Sequence, residues 1–203
     1  MLLFIFDMDD VLYRYDWRVR MARMTELTGL SFEELRARWW HDEGEIAAEA
    51  GAWTSGAAYL RAFTAAIGVT VDEGEWIAAR RSGMTPIAES IEATARAAEL
   101  GQVTLLTNNG ALLGHHLPVV APELVPIFGE HLFSTSHYGA RKPDPAVFSA
   151  VLERYGVEAD QAFFADDLPE NIAGAASVGI STHLFSDGAA MHRAIEDFAA
   201  SQA

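Results

Sequence analysis

Five consecutive apolar residues, Leu2-Leu3-Phe4-Ile5-Phe6, run directly into three carboxylates, Asp7, Asp9 and Asp10. An apolar run of this length without alternation predicts a strand covered on both faces, as in a parallel sheet. Sheets of that kind bind ligands at the carboxyl ends of their strands, which is where Asp7 leaves the core. Carboxylates crowded this closely repel one another unless a cation or a proton offsets them. The segment therefore predicts either an acidic turn at a strand end or a site that takes a cation.

The rest of the chain supplies the sheet. From Asp16 to about Gly83 the pattern is helical, with segments 17–28, 32–41, 53–67 and 72–80 punctuated by Gly29, Gly51 and Gly68. Ser31 followed by Glu34 forms a capping box at the start of the second segment. Almost no β-branched runs occur there, which predicts a helical insertion outside the sheet. Beyond it, strands at 103–106, 132–134, 161–165 and 181–185 alternate with helices starting at Pro86, at Pro145 behind the cap Asp144, and at Pro169. The alternation predicts an α/β fold, a doubly wound parallel sheet with a small helical cap inserted after the first strand. Residues 1–15 and 84–203 would form the core and 16–83 the cap.

Composition narrows the function classes. A net charge of −15 opposes nucleic acid or an anionic membrane as partner, since both require a basic surface. No cysteine is present, which excludes disulfides, thiolate zinc sites and thiol catalysis. The apolar stretch at the N-terminus is short and lacks a basic lead, unlike a signal peptide, and no later run reaches membrane-spanning length. The expectation is a soluble, cytoplasmic protein, a monomer or homodimer.

Parallel strands place their carboxyl ends on one edge, so Asp7 and Asp9, Thr107 and Asn108, Lys142, and Asp166 and Asp167 should converge there. Carboxylates with one lysine and neither cysteine nor clustered histidine make an oxygen-rich site, which suits Mg²⁺. A hydroxyl and an amide add donors for an anion. The set describes phosphoryl transfer, with a carboxylate able to attack phosphorus.

The segments F-D-M-D-D-V-L, L-L-T-N-N-G, R-K-P-D-P and F-F-A-D-D-L-P-E-N-I resemble, in order and spacing, the four motifs of the haloacid dehalogenase-like hydrolases. The resemblance spans essentially the whole chain and extends to the small sugar-phosphate phosphatases that include α-D-glucose-1-phosphate phosphatase, although members of that branch can carry Gly where this chain has Asp9. It implies a Rossmann-like core and a Mg²⁺-dependent phosphatase acting on a small phosphorylated metabolite, a sugar phosphate first, with Asp7 as nucleophile and metal ligand. Asp9 would serve as acid and base, its backbone carbonyl meeting the metal. Thr107 and the Asn108 backbone would hold phosphoryl oxygens, and Lys142 would pair with phosphate and nucleophile. Asp167 would be a metal ligand and Asp166 a second or water-bridged one.

Other residues are less constrained. Trp39, Trp40, His41 and Trp53 are candidate cap contacts to substrate, because aromatic faces combine apolar area with a polar handle, set against core packing at helical spacing. Tyr13 and Arg14 lie near the hinge and could touch substrate. His115 and His116 are expected in a surface loop. Asp10 is expected to brace the first turn, and Asn171 either braces the metal loop or lies on a helix surface. A phosphomutase would use the same Asp7 and Asp9. A dehalogenase would attack carbon and need neither the metal nor Asp9, and a non-catalytic binding protein on this scaffold predicts a missing catalytic group, which the sequence does not show.

Overall fold

Strand β1, Leu3–Phe6, is buried along its whole length and forms the centre of the sheet. The structure is a computed structural model that describes residues 1–202. Phe4 and Phe6 point to one face, where they meet Leu105 and Phe198, and Leu3 and Ile5 point to the other, against Val147, Phe148 and Val151. The period of two thus loads both faces, each side chain contributing roughly 2 kcal/mol of burial.

The remaining elements follow from this centre. Strand β2, Tyr13–Tyr15, leads into the helices Trp17–Thr28, Phe32–Arg38, Gly56–Ile67 and Glu73–Ser82, and β3, Met84–Pro86, pairs back on β2 in antiparallel register. Strands β4 (Gln102–Thr107), β5 (Leu132–Ser134), β6 (Ala162–Asp166) and β7 (Ser181–Leu184) complete a parallel sheet in the order β5-β4-β1-β6-β7. Helices Ala88–Leu100, Ala111–Val120 and Gly188–Ser201 contribute to the Phe4 side, and Pro145–Tyr155 and Pro169–Ser177 to the Leu3 side. The α/β core and its parallel sheet agree with the sequence. No single helix among the described residues is long and apolar enough to cross a membrane.

Local signals hold where side chains cap backbone. Ser31 accepts from the Glu34 amide while Glu34 accepts from the Ser31 amide, and Asp144 accepts from the Ala146 amide at the start of its helix. Two expectations need correction. Pro86 closes β3 instead of opening a helix, which starts at Ala88, because the chain is committed to ribbon pairing with Tyr13. His115 and His116 lie within the helix Ala111–Val120, not in a loop. The C-terminal tail forms a helix with Met191, Ile195 and Phe198 buried.

Candidate active site

All four motif regions meet at the carboxyl edge of the sheet. The Asp7 amide donates to the Ala165 carbonyl at 3.1 Å, which extends the β1–β6 ladder by one residue and fixes the backbone of Asp7. The chain then turns with Asp10 in the left-handed region at φ 58°, a conformation Asp tolerates through local hydrogen bonding. Its Oδ1 accepts from the Tyr15 amide at 3.0 Å, so Asp10 braces the turn as expected.

β4 delivers Thr107, whose Oγ1 accepts from Asn109 Nδ2 at 2.8 Å. Asn108 clasps the backbone of Lys142 at two points, donating Nδ2 to its carbonyl and accepting its amide on Oδ1, both at 3.0 Å. That clasp brings a lysine 34 residues away in sequence to the end of β4. Lys142 is buried, and its Nζ donates to Asp7 Oδ1 at 2.7 Å and to Asp166 Oδ2 at 2.6 Å. Asp166, at the end of β6, also accepts from Asn171 Nδ2 on both oxygens, at 3.0 Å each, and from the Leu168 amide at 2.9 Å. Asn171 is thus a buried brace of the acidic loop, not a helix-surface residue. A close approach holds this loop to the Lys142 loop: a Cβ at Gly174 would lie 2.2 Å from the Pro143 carbonyl oxygen.

Charge is concentrated and unbalanced here. Burial pushes the Asp7 carboxyl up to about 8, the Lys142 ammonium opposing and Asp166 and Asp9 adding. Burial acts to lower Lys142, but Asp7 and Asp166 outweigh it and hold the ammonium above its usual value. Burial, then Asp166, pushes Asp167 up to about 6. One carboxylate oxygen from each of Asp7, Asp166 and Asp167 lies within 4.8 Å of the others. A single lysine faces these three acids, so the cluster keeps excess negative charge on oxygen donors alone. A hard divalent cation such as Mg²⁺ fits that donor set.

The same constellation is marked in the sequence as a family. The model of the haloacid dehalogenase-like hydrolases matches residues 1–179. The chain belongs to this family. Among its relatives, Phosphatase MT3486 of Mycobacterium tuberculosis is 24% identical over 214 residues, covering 89% of this chain and 85% of that protein. Among solved structures, the haloacid dehalogenase family enzyme bt-2542 of Bacteroides thetaiotaomicron, in complex with magnesium and inorganic phosphate, superposes with a TM-score of 0.75 at 22% identity, over 93% of this chain and 96% of that one. A 2-haloacid dehalogenase from Pseudomonas syringae shares the fold with a TM-score of 0.65 at 22% identity, over 90% of this chain and 85% of that one.

Two cavities flank Asp9 in this hydrolase. The smaller, about 270 Å³, is lined by Asp7, Asp9, Thr107, Asn108, Lys142 and Asp167. The larger, about 420 Å³, lies under the helical insertion and shares Asp9 and Asn108 with the first, adding Arg20, Trp40 and Arg80 among others. The Asp9 carboxylate is held from the insertion, as Arg80 Nη2 donates to its two oxygens at 2.6 and 2.7 Å. Arg80 is fully buried, its guanidinium 3.8 Å from the centroid of the Tyr15 ring.

Of the aromatic candidates only Trp40 lines this cavity. Trp39 is a core residue, packed against Trp53, Tyr59 and Phe63, with its Nε1 donating to Glu45 Oε2 at 2.6 Å. Trp53 stacks on Trp39 at 5.1 Å and His41 caps the turn after it, accepting from the Glu43 amide on Nδ1, so these three are corrected to structural residues. Tyr13 is buried with its hydroxyl on Glu123, and Arg14 faces another cleft; Tyr15 takes the place by the site. Arg20 and Arg80 escaped the sequence reading because helical arginines usually face water. Their register held the signal: Arg20 falls on a stripe with Met24 and Thr28, and Arg80 lies one turn after Trp76, all buried positions.

Proposed function

We propose that this hydrolase is a Mg²⁺-dependent phosphatase acting on a small phosphate monoester, sugar phosphates first, through an aspartyl-phosphate on Asp7. The observation that carries the reading is Lys142, one buried ammonium shared by Asp7 and Asp166 beside Asp167, Thr107 and Asn108. Magnesium, held by Asp7, Asp167 and the Asp9 backbone carbonyl with Asp166 behind them, would supply charge neutralisation for the phosphoryl group. The occurrence of magnesium and phosphate together in the bt-2542 structure supports this choice.

The side chains divide the work. Thr107 and the Asn108 backbone orient the phosphoryl oxygens, and Lys142 offsets their charge while favouring the ionised form of Asp7. An Asp7 oxygen forms a bond to phosphorus as the bond from phosphorus to the ester oxygen breaks, and Asp9 hands its proton to the departing alkoxide. Asp9 then takes a proton from water, whose oxygen bonds to phosphorus and releases Asp7 with inorganic phosphate. The location of Asp9 in the wall between the two cavities supports this role, since it faces both the phosphoryl site and the space for the alcohol. Asp9 must leave Arg80 and take up a proton from solvent before the first transfer, so the reading requires the insertion to shift when substrate enters.

The test is phosphate release from p-nitrophenyl phosphate and a panel of sugar and small-acid phosphates, with and without Mg²⁺, for the native chain and Asp7→Asn. Turnover that needs both the metal and Asp7 is expected. An isomeric phosphate in place of free phosphate would instead indicate transfer to a second hydroxyl, and turnover by Asp7→Asn equal to the native rate would remove the aspartyl-phosphate.

A further inference from the structure

The larger cavity contains cationic groups that the steps above do not use. Arg20 and Arg80 are 5% and 0% exposed, yet Arg20 Nε and Nη2 and Arg80 Nε and Nη1 have no hydrogen-bond partner. Both residues line the cavity, and four buried guanidinium nitrogens without acceptors beside it are a cost the fold would not retain without a return, because an unmatched buried donor destabilises by about 1–3 kcal/mol. Tyr15 links the two groups: Arg20 Nη1 lies 3.4 Å from its hydroxyl and Arg80 covers its ring.

The acids around the cavity are already committed. Asp9 takes Arg80 Nη2. Glu49 is bound by Arg141 Nε at 2.6 Å, and Glu45 Oε2 accepts from Trp39 and Tyr59. Glu45 Oε1 comes no nearer than 3.9 Å to Arg20 Nη2, too long for a hydrogen bond. The free pair on Arg20, Nε with Nη2, is the side of a guanidinium that receives both oxygens of a carboxylate in parallel. Trp17, Met21, Phe32 and Trp40 give the cavity apolar walls, and Arg36 adds a third cation to its lining. Hydroxyls of a neutral sugar would leave Arg20 with only the Glu45 carboxylate, 3.9 Å away, as counter-ion, and Arg80 with none once it lets go of Asp9.

We propose that the alcohol half of the substrate carries a carboxylate, received by Arg20 and Arg80, so that the preferred substrate is a phosphorylated hydroxy acid or sugar acid. This deepens the phosphatase reading and rests on it. The phosphoryl group occupies the Asp7–Lys142 cavity, the ester oxygen passes Asp9, and the carboxylate lies under the insertion. Arg80, paired with Asp9 here, ties recognition of the acid to the release of Asp9.

The experiment compares 3-phosphoglycerate with glycerol 3-phosphate, which differ by a carboxylate against a hydroxymethyl group, with p-nitrophenyl phosphate as a general phosphatase substrate. The native chain with Mg²⁺ is expected to show kcat/KM at least about tenfold higher for the acid, since a neutral group leaves the guanidinium donors unmatched. In Arg20→Met that ratio should fall toward one. Calorimetric binding of the same two ligands to Asp7→Asn, where no turnover intervenes, should show the same preference. Equal kcat/KM for the two in a chain that cleaves p-nitrophenyl phosphate overturns the carboxylate site and leaves the phosphatase standing. Failure to cleave any monoester, with the acid still bound about tenfold more tightly, overturns the phosphatase and keeps the site. Equal binding of the two ligands overturns the site in either case.

Discussion

Replacing Lys142 by Met keeps the length of the side chain and its apolar stem while removing the one ammonium between Asp7 and Asp166. Both acids are buried, and the ammonium lies 2.7 and 2.6 Å from them. Breaking a buried pair by deleting one partner costs about 3–5 kcal/mol, because the surviving charge has lost both water and counter-ion. Two pairs share one cation here, so the losses do not double; the remaining carboxylates respond by taking up a proton. For a chain of this size 3–5 kcal/mol corresponds to a fall in Tm of about 10 °C. The direction with pH follows. Carboxylates without their cation hold protons in the folded chain at a pH where the unfolded chain has released them, so the stability of the variant falls as pH rises. The gap to the native chain should therefore be wider at pH 8 than at pH 5, and Mg²⁺ should narrow it at pH 8. Thermal unfolding by circular dichroism in chelator, then in Mg²⁺, at both pH values measures each part. A variant within about 2 °C of the native chain in chelator at pH 8 would refute the shared-ammonium reasoning.

Three further perturbations probe separate elements. Asn171→Ala removes both amide contacts to buried Asp166 and should cost about 1–3 kcal/mol in urea unfolding, with a fall in kcat larger than any change in KM. Glu49 is pushed up to about 7 by burial, against Arg141; because the folded chain keeps a proton that the unfolded chain releases near pH 4.5, this group lowers stability as pH rises from about 4.5 to 7. Glu49→Gln should accordingly gain on the native chain between pH 5 and pH 8, by up to about 3 kcal/mol, and a constant difference in Tm across that range would contradict the assignment. Trp39→Phe deletes the indole donor to Glu45 and should lower stability by about 1–3 kcal/mol with little effect on KM, whereas Trp40→Ala should raise KM for the preferred substrate; the reverse pattern in unfolding and kinetics would exchange their roles.

The sheet was legible because each of its central strands is a short apolar run ending in a polar residue, and parallel order carries those ends to one edge. The convergence of Asp7, Thr107 and Asp166 follows from that order alone, whereas Lys142 lies in a loop beyond β5 and is drawn in by Asn108. The partners of those residues were not legible. Asn108 clasps a lysine loop, Asn171 braces Asp166 and Arg80 holds Asp9 across 71 residues of sequence, and pairings at such separation leave no periodic trace. The β2–β3 ribbon was missed for a different reason: strands of three residues, one ending in Pro86, are too short for alternation to register. In the insertion, the four longer helices were legible to within a few residues while the turns over 42–49 and the buried faces were not, since two arginines occupy positions where apolar residues are expected.

The antiparallel pairing of Tyr15 with Met84 has a consequence beyond this molecule. The helical segment departs from and returns to one spot beside the first turn, so its two ends are neighbours in space. A segment joined in this way can be exchanged by recombination with little disturbance to the sheet, provided that the replacement supplies a partner for Asp9 as Arg80 does. Chemistry and selectivity can then diversify at different rates, one encoded at the ends of the central strands and the other in a cassette bounded by a two-stranded ribbon.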